Sequence, residues 1–265
     1  MRLVKKAIEM GNGAAVYVPK EFANREIVIL LPEGIEEIQS RVLNRLIEFM
    51  PNIIGIYLFG SYARGEQEAD SDIDILVITN EKDDNIKDAL KDIDAKIITL
   101  NAVKTTLKNT PLLIVPILNE AKIFLNSGLL DELREFKVDY RKFNWNFGDI
   151  KRIIKIVEGF VELDPLDISP THVYSLILRI KVCYIIESIL KNKQFSNKSV
   201  KELLLKYGLR KEKIDEFYKI YRDVRENEIS KIKVNKDEIL ELIKITKDYF
   251  KRVEDETKKK IKKRN

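Results

Sequence analysis

The sequence contains a single cysteine and a single histidine among its 265 residues. One cysteine excludes an internal disulfide and a cysteine-rich zinc site. One histidine also leaves most histidine-based metal centres and Ser-His-Asp arrangements without their parts. We therefore expect any catalysis to depend on other side chains.

Long uncharged apolar runs are absent as well, and a membrane span needs roughly 18 such residues. The most apolar stretch, residues 173–190, is the best candidate for a membrane span, but Arg179, Lys181 and Glu187 interrupt it. We therefore predict that it forms a buried helix of a soluble domain. The first residues, MRLVKKAIEMGNG, are too polar for a secretory signal. We expect a cytoplasmic location and no membrane partner.

The composition is that of a globular protein, with 45% hydrophobic and 34% charged residues. Lysine and arginine number 48 against 43 acidic residues, which leaves a formal charge of +5. This small excess is a weak indication of an anionic partner.

The hydrophobic pattern changes twice along the chain. Residues 1–34 contain short β-rich runs, AAVYVP and EIVILLP, with a GNG turn signal before them. Between residues 35 and 128, helical and strand patterns alternate, whereas residues 129–265 have a helical pattern throughout. We predict an α+β fold: a small N-terminal β hairpin unit, a mixed-sheet domain over 35–128 and an all-α helical bundle over 129–265.

The stretch LFGSYARGEQEADSDIDILVIT, residues 58–79, places two carboxylates at alternate positions of a predicted strand. Side chains alternate between the faces of a strand, so Asp72 and Asp74 are expected on the same side. Two close carboxylates repel each other unless a cation lies between them. Ligand sets made only of oxygen favour hard ions such as Mg²⁺, which substrate phosphates commonly complete.

Gly60 and Ser61 follow a predicted strand and are expected to open a helix. Unpaired N–H groups at such a position favour a phosphate, and glycine allows close approach to the backbone. A phosphate cradle followed by a magnesium pair indicates phosphoryl or nucleotidyl transfer.

The segment GSYARGEQEADSDIDILV resembles the signature of the polymerase β nucleotidyltransferase superfamily, most of all the minimal nucleotidyltransferases of bacteria and archaea. The resemblance covers residues 35–128. The positions that fit the signature are Gly60, Ser61, Ala63, Arg64, Gly65, Ser71, Asp72, Ile73 and Asp74.

The resemblance implies a metal-dependent transfer of a nucleoside monophosphate. It assigns Gly60 and Ser61 to the nucleotide phosphates, and Asp72 and Asp74 to two Mg²⁺ ions. The implied donor is a nucleoside triphosphate, with ATP expected, and the implied acceptor is a hydroxyl of a protein, a small molecule or RNA. The implied mechanism is a two-metal displacement at the α-phosphate.

The same resemblance implies a third carboxylate at the next strand, as a metal ligand that also helps to deprotonate the acceptor. Asp94 is the chosen residue, with Asp92 as the alternative. Ser71 is assigned to substrate binding. Arg64 either neutralises phosphate charge or holds the helix through a salt bridge.

The flanking regions have fainter resemblances. The helical half is similar to HEPN-type bundles, but Arg222 and Arg225 are not followed by the expected histidine, so ribonuclease activity is doubtful. Residues 1–34 resemble AbrB-like β modules, which intertwine as dimers and often bind DNA. This implies a homodimer and a DNA contact, and the alternative is a hairpin added to the main sheet.

Two functions from different classes fit these patterns. The first is an active magnesium-dependent nucleotidyltransferase. The second is a DNA-binding regulator or antitoxin that uses the same fold to sense a nucleotide or bind a partner. Intact Gly60, Ser61, Asp72 and Asp74 favour the enzyme, because a binding scaffold has no need of two repelling carboxylates.

Overall fold

A four-stranded mixed sheet forms the centre of the N-terminal half. The computed structural model describes residues 8–27, 33–67, 71–163 and 168–264. The sheet strands are β3 (Ile53–Phe59), β4 (Asp74–Thr79), β5 (Asp94–Thr99) and β6 (Lys122–Leu125). Their order is β5-β4-β3-β6, in which β4 and β5 are parallel and the other neighbours are antiparallel. The predicted mixed sheet is confirmed.

A separate hairpin precedes this sheet and consists of β1 (Ile8–Met10) and β2 (Gly13–Ala15). Among the described residues these two strands pair only with each other, and not with the main sheet. The predicted strand at EIVILLP lies largely outside the described residues.

Short helices connect the strands. They are α1 (Ile35–Arg45), α2 (Gly60–Arg64), α3 (Asn85–Ala89), α4 (Leu100–Asn109), α5 (Val115–Glu120) and α6 (Ser127–Arg134). Residue 128, the predicted domain end, is the second residue of α6, and the domain limits stay predictions.

The remainder of the described chain is helical, as predicted. Its helices are α7 (Asn144–Leu163), α8 (Pro170–Lys191), α9 (Asn197–Lys206), α10 (Lys211–Arg225) and α11 (Lys236–Arg264). Helix α8 lies at the centre, because it packs against α7, α9, α10 and α11. Across the described ranges, no helix is both long enough and apolar enough to cross a membrane.

The two faces of the sheet belong to different hydrophobic cores. Ile75 and Val77 of β4 pack into a core with α1 and α3. Leu76 and Ile78 pack into the larger core, which includes the helical bundle. Asp74 shares the alternation of Leu76 and Ile78, so its side chain lies on the face toward the bundle.

Two strand limits differ from the predictions. The second strand begins at Asp74, and Asp72 lies in the irregular segment before it. The third strand begins at Asp94, and Asp92 lies in the preceding turn. Asp72 and Asp92 therefore lie outside the strands, where side chains need not alternate between the two faces of the sheet.

Candidate active site

Asp74 and Asp94 are direct neighbours in the sheet. The two residues are paired in the register of the parallel strands β4 and β5, and the N–H of Asp94 donates to the carbonyl of Ile73 at 3.0 Å. Residues paired in this way place their side chains on the same face. Two carboxylates, 20 positions apart in the sequence numbering, are thus side by side at the edge where β4 and β5 begin.

The electrostatics of Asp74 reflect this crowding. Burial, followed by the charges of Asp94, Asp72 and Glu120, raises the pKa of Asp74 from 3.8 to about 6, while Arg64 opposes the rise. Asp72 and Asp94 are themselves exposed to solvent. A half-buried carboxylate is therefore surrounded by further negative charge, which a cation at this edge would relieve.

Gly60 touches this carboxylate cluster directly. Its φ is +75°, and a Cβ built on it would lie 1.8 Å from Oδ2 of Asp74. Only glycine combines this backbone conformation with such a close approach. The N–H of Gly60 donates to Oε1 of Glu120 at 2.9 Å, so this predicted phosphate donor is already engaged.

The other predicted nucleotide-binding residues flank the cluster. Ser61 follows Gly60 in α2 and is half-buried. Ser71, also half-buried, directly precedes Asp72. The structure thus brings the Gly-Ser turn and the carboxylates to the same end of β3 and β4.

Arg64 takes part in salt bridges, which is one of its two predicted roles. Its Nη1 donates to Oε2 of Glu120 at 2.6 Å and its Nε donates to Oε2 of Glu66 at 2.9 Å. Burial lowers the pKa of Arg64, but the hydrogen bond to Glu66 and the charge of Glu120 outweigh it, so the pKa is raised. Glu66 and Glu120 are therefore both ion-pair partners of Arg64.

Asp92 is held away from the site by two arginines of α1. Its carboxylate accepts hydrogen bonds from Arg41 at 3.3 Å and from Arg45. The hydrogen bond from Arg45 is the main cause that lowers the pKa of Asp92. The geometry therefore favours Asp94 over Asp92 as the partner of Asp74.

Lys181 of α8 is a half-buried lysine of the bundle with Arg64 among its charged neighbours, and the sequence did not mark it as a site residue. The Nζ of Lys181 donates to the hydroxyl of Tyr221 at 3.2 Å and lies 4.3 Å from its ring centroid. Burial, then the charges of Arg225 and Arg64, lower the pKa of Lys181 to about 8. No carboxylate of the described residues forms an ion pair with it.

Arg64 connects this lysine with the carboxylates, because its charge acts on both Asp74 and Lys181. Helix α5, which ends at Glu120, packs against both α2 and α8. Helix α8, which carries Lys181, is thus linked to α2 through α5.

The side chains as they stand do not form a closed metal cage. Within the described ranges, no three His, Cys, Asp or Glu residues are gathered as a metal-binding group. The chemistry of the donors nevertheless fits Mg²⁺, because they are carboxylate oxygens with unrelieved like charge.

Comparison with known families supports the signature. Residues 42–128 match the family model described as polymerase beta, nucleotidyltransferase. The matched segment contains the Gly-Ser turn and all the carboxylates discussed above, and it is similar to the nucleotidyltransferase domains of that superfamily. It covers about a third of the chain. No curated protein matches the chain significantly.

Several solved structures are similar to this chain. Spectinomycin adenyltransferase AAD(9) from Enterococcus faecialis, with ATP and spectinomycin, has 14% identity and a TM-score of 0.47, covering 83% of this chain and 100% of that one. A toxin-antitoxin with AMP-PNP has 22% identity and a TM-score of 0.30, covering 46% and 98%. A nucleotidyltransferase-like protein from Exiguobacterium sibiricum 255-15 has 12% identity and a TM-score of 0.36, covering 81% and 75%.

The HEPN-like and AbrB-like resemblances of the flanking regions have no support in these comparisons and stay predictions.

The contact between Gly60 and Asp74 predicts an unequal cost of adding a methyl group. Gly60→Ala must push away the Asp74 carboxylate, whereas Gly65→Ala has a similar φ of +68° but no heavy atom within 4 Å of the new Cβ. Both variants lose about 1 kcal/mol or more from backbone strain. Urea unfolding should show a larger loss for Gly60→Ala.

Asp74→Ala supplies the control for this comparison, because it removes the clashing oxygens. In the double variant the additional cost of Gly60→Ala should shrink. Equal losses for Gly60→Ala and Gly65→Ala would contradict the contact.

The raised pKa of Asp74 predicts that the contribution of this residue to the stability of the metal-free protein falls with rising pH. The folded protein holds this proton more tightly than the unfolded chain, so the free energy of unfolding falls as pH rises between 3.8 and about 6. Asp74→Asn should remove this fall and unfold at higher urea at neutral pH, by an amount of order 1 kcal/mol after solvent screening. The measurement is a series of urea midpoints in EDTA. Parallel pH profiles for the two proteins would contradict it.

Proposed function

We propose that this chain is a nucleotidyltransferase, which moves a nucleoside monophosphate from a nucleoside triphosphate to a hydroxyl acceptor and releases pyrophosphate. The observation that carries the proposal is the register pairing of Asp74 with Asp94, with Gly60 lying against the Asp74 carboxylate. This arrangement places negative side chains directly beside the turn that the family signature assigns to phosphates. The family match over residues 42–128 supports the same reaction class.

Asp72, Asp74 and Asp94 are the residues that would hold Mg²⁺, and two ions are expected. When bound, the metal would supply Lewis-acid stabilisation of the triphosphate and a lower pKa for the acceptor hydroxyl. Asp94 is exposed at the start of β5, so an acceptor hydroxyl can approach it from solvent. Its carboxylate is the group we assign to receive the hydroxyl proton.

The positive groups of the bundle are suited to the phosphates. Lys181 is half-buried beside Tyr221 and forms no ion pair with the described residues, whereas Arg64 is neutralised by Glu66 and Glu120. A partly desolvated cation without a counter-charge favours an anionic ligand. We therefore assign Lys181 to the triphosphate of the donor, with Ser61 and Ser71 as further substrate contacts, and we expect ATP as the donor.

The direct test is incubation of the pure protein with each α-labelled nucleoside triphosphate and Mg²⁺, alone and with cell extract. Label should appear on an acceptor and vanish in the Asp72→Asn/Asp74→Asn variant, which lacks two of the proposed ligands. Transfer at the wild-type level in that variant, or no transfer by the wild type under any condition, would contradict the proposal.

Asp92 and Asp94 provide a matched pair for the same assay. Asp94→Asn should lower the rate by about 10² or more, because it removes a group that acts on the reacting atoms. Asp92→Asn should keep the rate and leave the stability close to that of the wild type, because its exposed ion pairs with Arg41 and Arg45 contribute little. The reverse pattern would make Asp92 the third carboxylate.

Lys181→Met should weaken binding of the nucleoside triphosphate by about tenfold, because a buried charge-assisted contact contributes about 1.5 kcal/mol or more. The measurement is the KM for the triphosphate. Lys201→Met is the control, since Lys201 also lies over a tyrosine ring, at 4.9 Å from the Tyr218 centroid, but is paired with Asp215. Equal KM values in the two variants would remove Lys181 from the phosphate site.

A further inference from the structure

Glu120 is a buried carboxylate that the sequence patterns did not bring forward. It is the last residue of α5 and only 8% exposed. A carboxylate removed from water needs hydrogen bonds and a counter-charge, since an unpaired buried charge is strongly unfavourable. The hydrogen-bond donors around Glu120 therefore indicate its structural role.

Its two oxygens go to the two ends of the same short helix. Oε1 accepts the N–H of Gly60 at 2.9 Å, and Oε2 accepts Nη1 of Arg64 at 2.6 Å. Gly60 and Arg64 are the first and last residues of α2. The Glu120 side chain thus contacts both ends of α2, the helix that directly follows β3.

The position of α2 determines how close the backbone of Gly60 lies to the Asp74 carboxylate, and the two are in tight contact. A single added carbon at Gly60 would overlap Oδ2 of Asp74. The hydrogen bond from the N–H of Gly60 to Glu120 holds this residue from the side of α5. Glu120 is therefore placed to set the separation between the Gly-Ser turn and the Asp74 carboxylate.

Glu120 also connects the turn with the helical bundle. Helix α5, which carries Glu120, packs against α8, the helix of Lys181. A chain of contacts then runs from α8 through α5 and α2 to β4. Glu120 therefore connects α5, which packs on the bundle helix α8, with α2, which lies beside the carboxylates.

We propose that Glu120 is a positioning residue for nucleotidyl transfer, which aligns the Gly60-Ser61 turn with Asp74 by clamping both ends of α2. The inference rests on the proposed function, since it concerns the geometry of that reaction. Glu120 acts through Gly60 and Arg64 and touches no reacting atom. Loss of the clamp should misplace the phosphate-binding turn and reduce kcat more than it raises KM, because the remaining groups still bind the triphosphate.

The test compares three variants at equal folded fraction, measured by near-UV circular dichroism. Glu120→Gln can still accept the Gly60 N–H but loses the charge that holds Arg64. Glu120→Ala loses both contacts. Glu66→Gln removes only the other partner of Arg64 and leaves the Gly60 contact intact.

We expect kcat to fall about tenfold in Glu120→Gln and about 10² in Glu120→Ala, with KM for the triphosphate changed less than about twofold. Glu66→Gln should stay close to the wild-type kcat. A loss of activity that matches the loss of folded protein, or equal losses in Glu66→Gln and Glu120→Gln, would show a merely structural role and overturn the inference.

Hydrogen exchange separates this inference from the proposed function, because it needs no activity. In Glu120→Ala, a peptide covering residues 58–66 should exchange about tenfold faster, with other core peptides unchanged. Unchanged exchange in this peptide would overturn the clamp even if transfer is observed. Faster exchange in a protein without transfer would instead contradict the proposed function alone.

Discussion

The crowding of carboxylates at the start of β4 and β5 is the constraint on which the rest of the site depends. Asp74 and Asp94 are fixed side by side by the backbone register, so neither can move away without breaking the sheet. Burial, and after it the charges of Asp94, Asp72 and Glu120, raise the pKa of Asp74 above its usual value, while Arg64 opposes the rise. A cation would relieve this repulsion, and we propose that the adjoining Gly60-Ser61 turn holds a phosphate beside that cation.

The sheet is buried on both faces, and one of these faces joins the sheet to the helical bundle. One face of β4 packs on α1 and α3, while the other joins the core of the helical half. Asp74 lies on this second face, and α8 reaches the same region through α5. Lys181 is therefore the residue of the bundle that we propose to contribute positive charge to a site formed mainly by the N-terminal half.

Local patterns in the sequence predicted the parts of the site that are close along the chain. The strand that was predicted to precede Gly60 is β3, whose apolar run is bounded by a turn and by Gly60. The choice between Asp92 and Asp94 depends on the start of β5 and on two arginines from α1, which no local pattern reveals. Lys181 did carry a signal, since it interrupts an apolar helix with no acid three or four residues away.

Glu120 carried no comparable signal, because its partners Gly60 and Arg64 lie more than 50 residues earlier in the chain.

The proposed arrangement of metal and nucleotide at this site is tested most directly by a crystal structure with Mn²⁺ and a non-hydrolysable nucleoside triphosphate. We predict anomalous peaks for the metal bounded by Asp72, Asp74 and Asp94, with the phosphates between the Gly60-Ser61 turn and Lys181. Metal or nucleotide bound elsewhere, with these carboxylates empty, would contradict it.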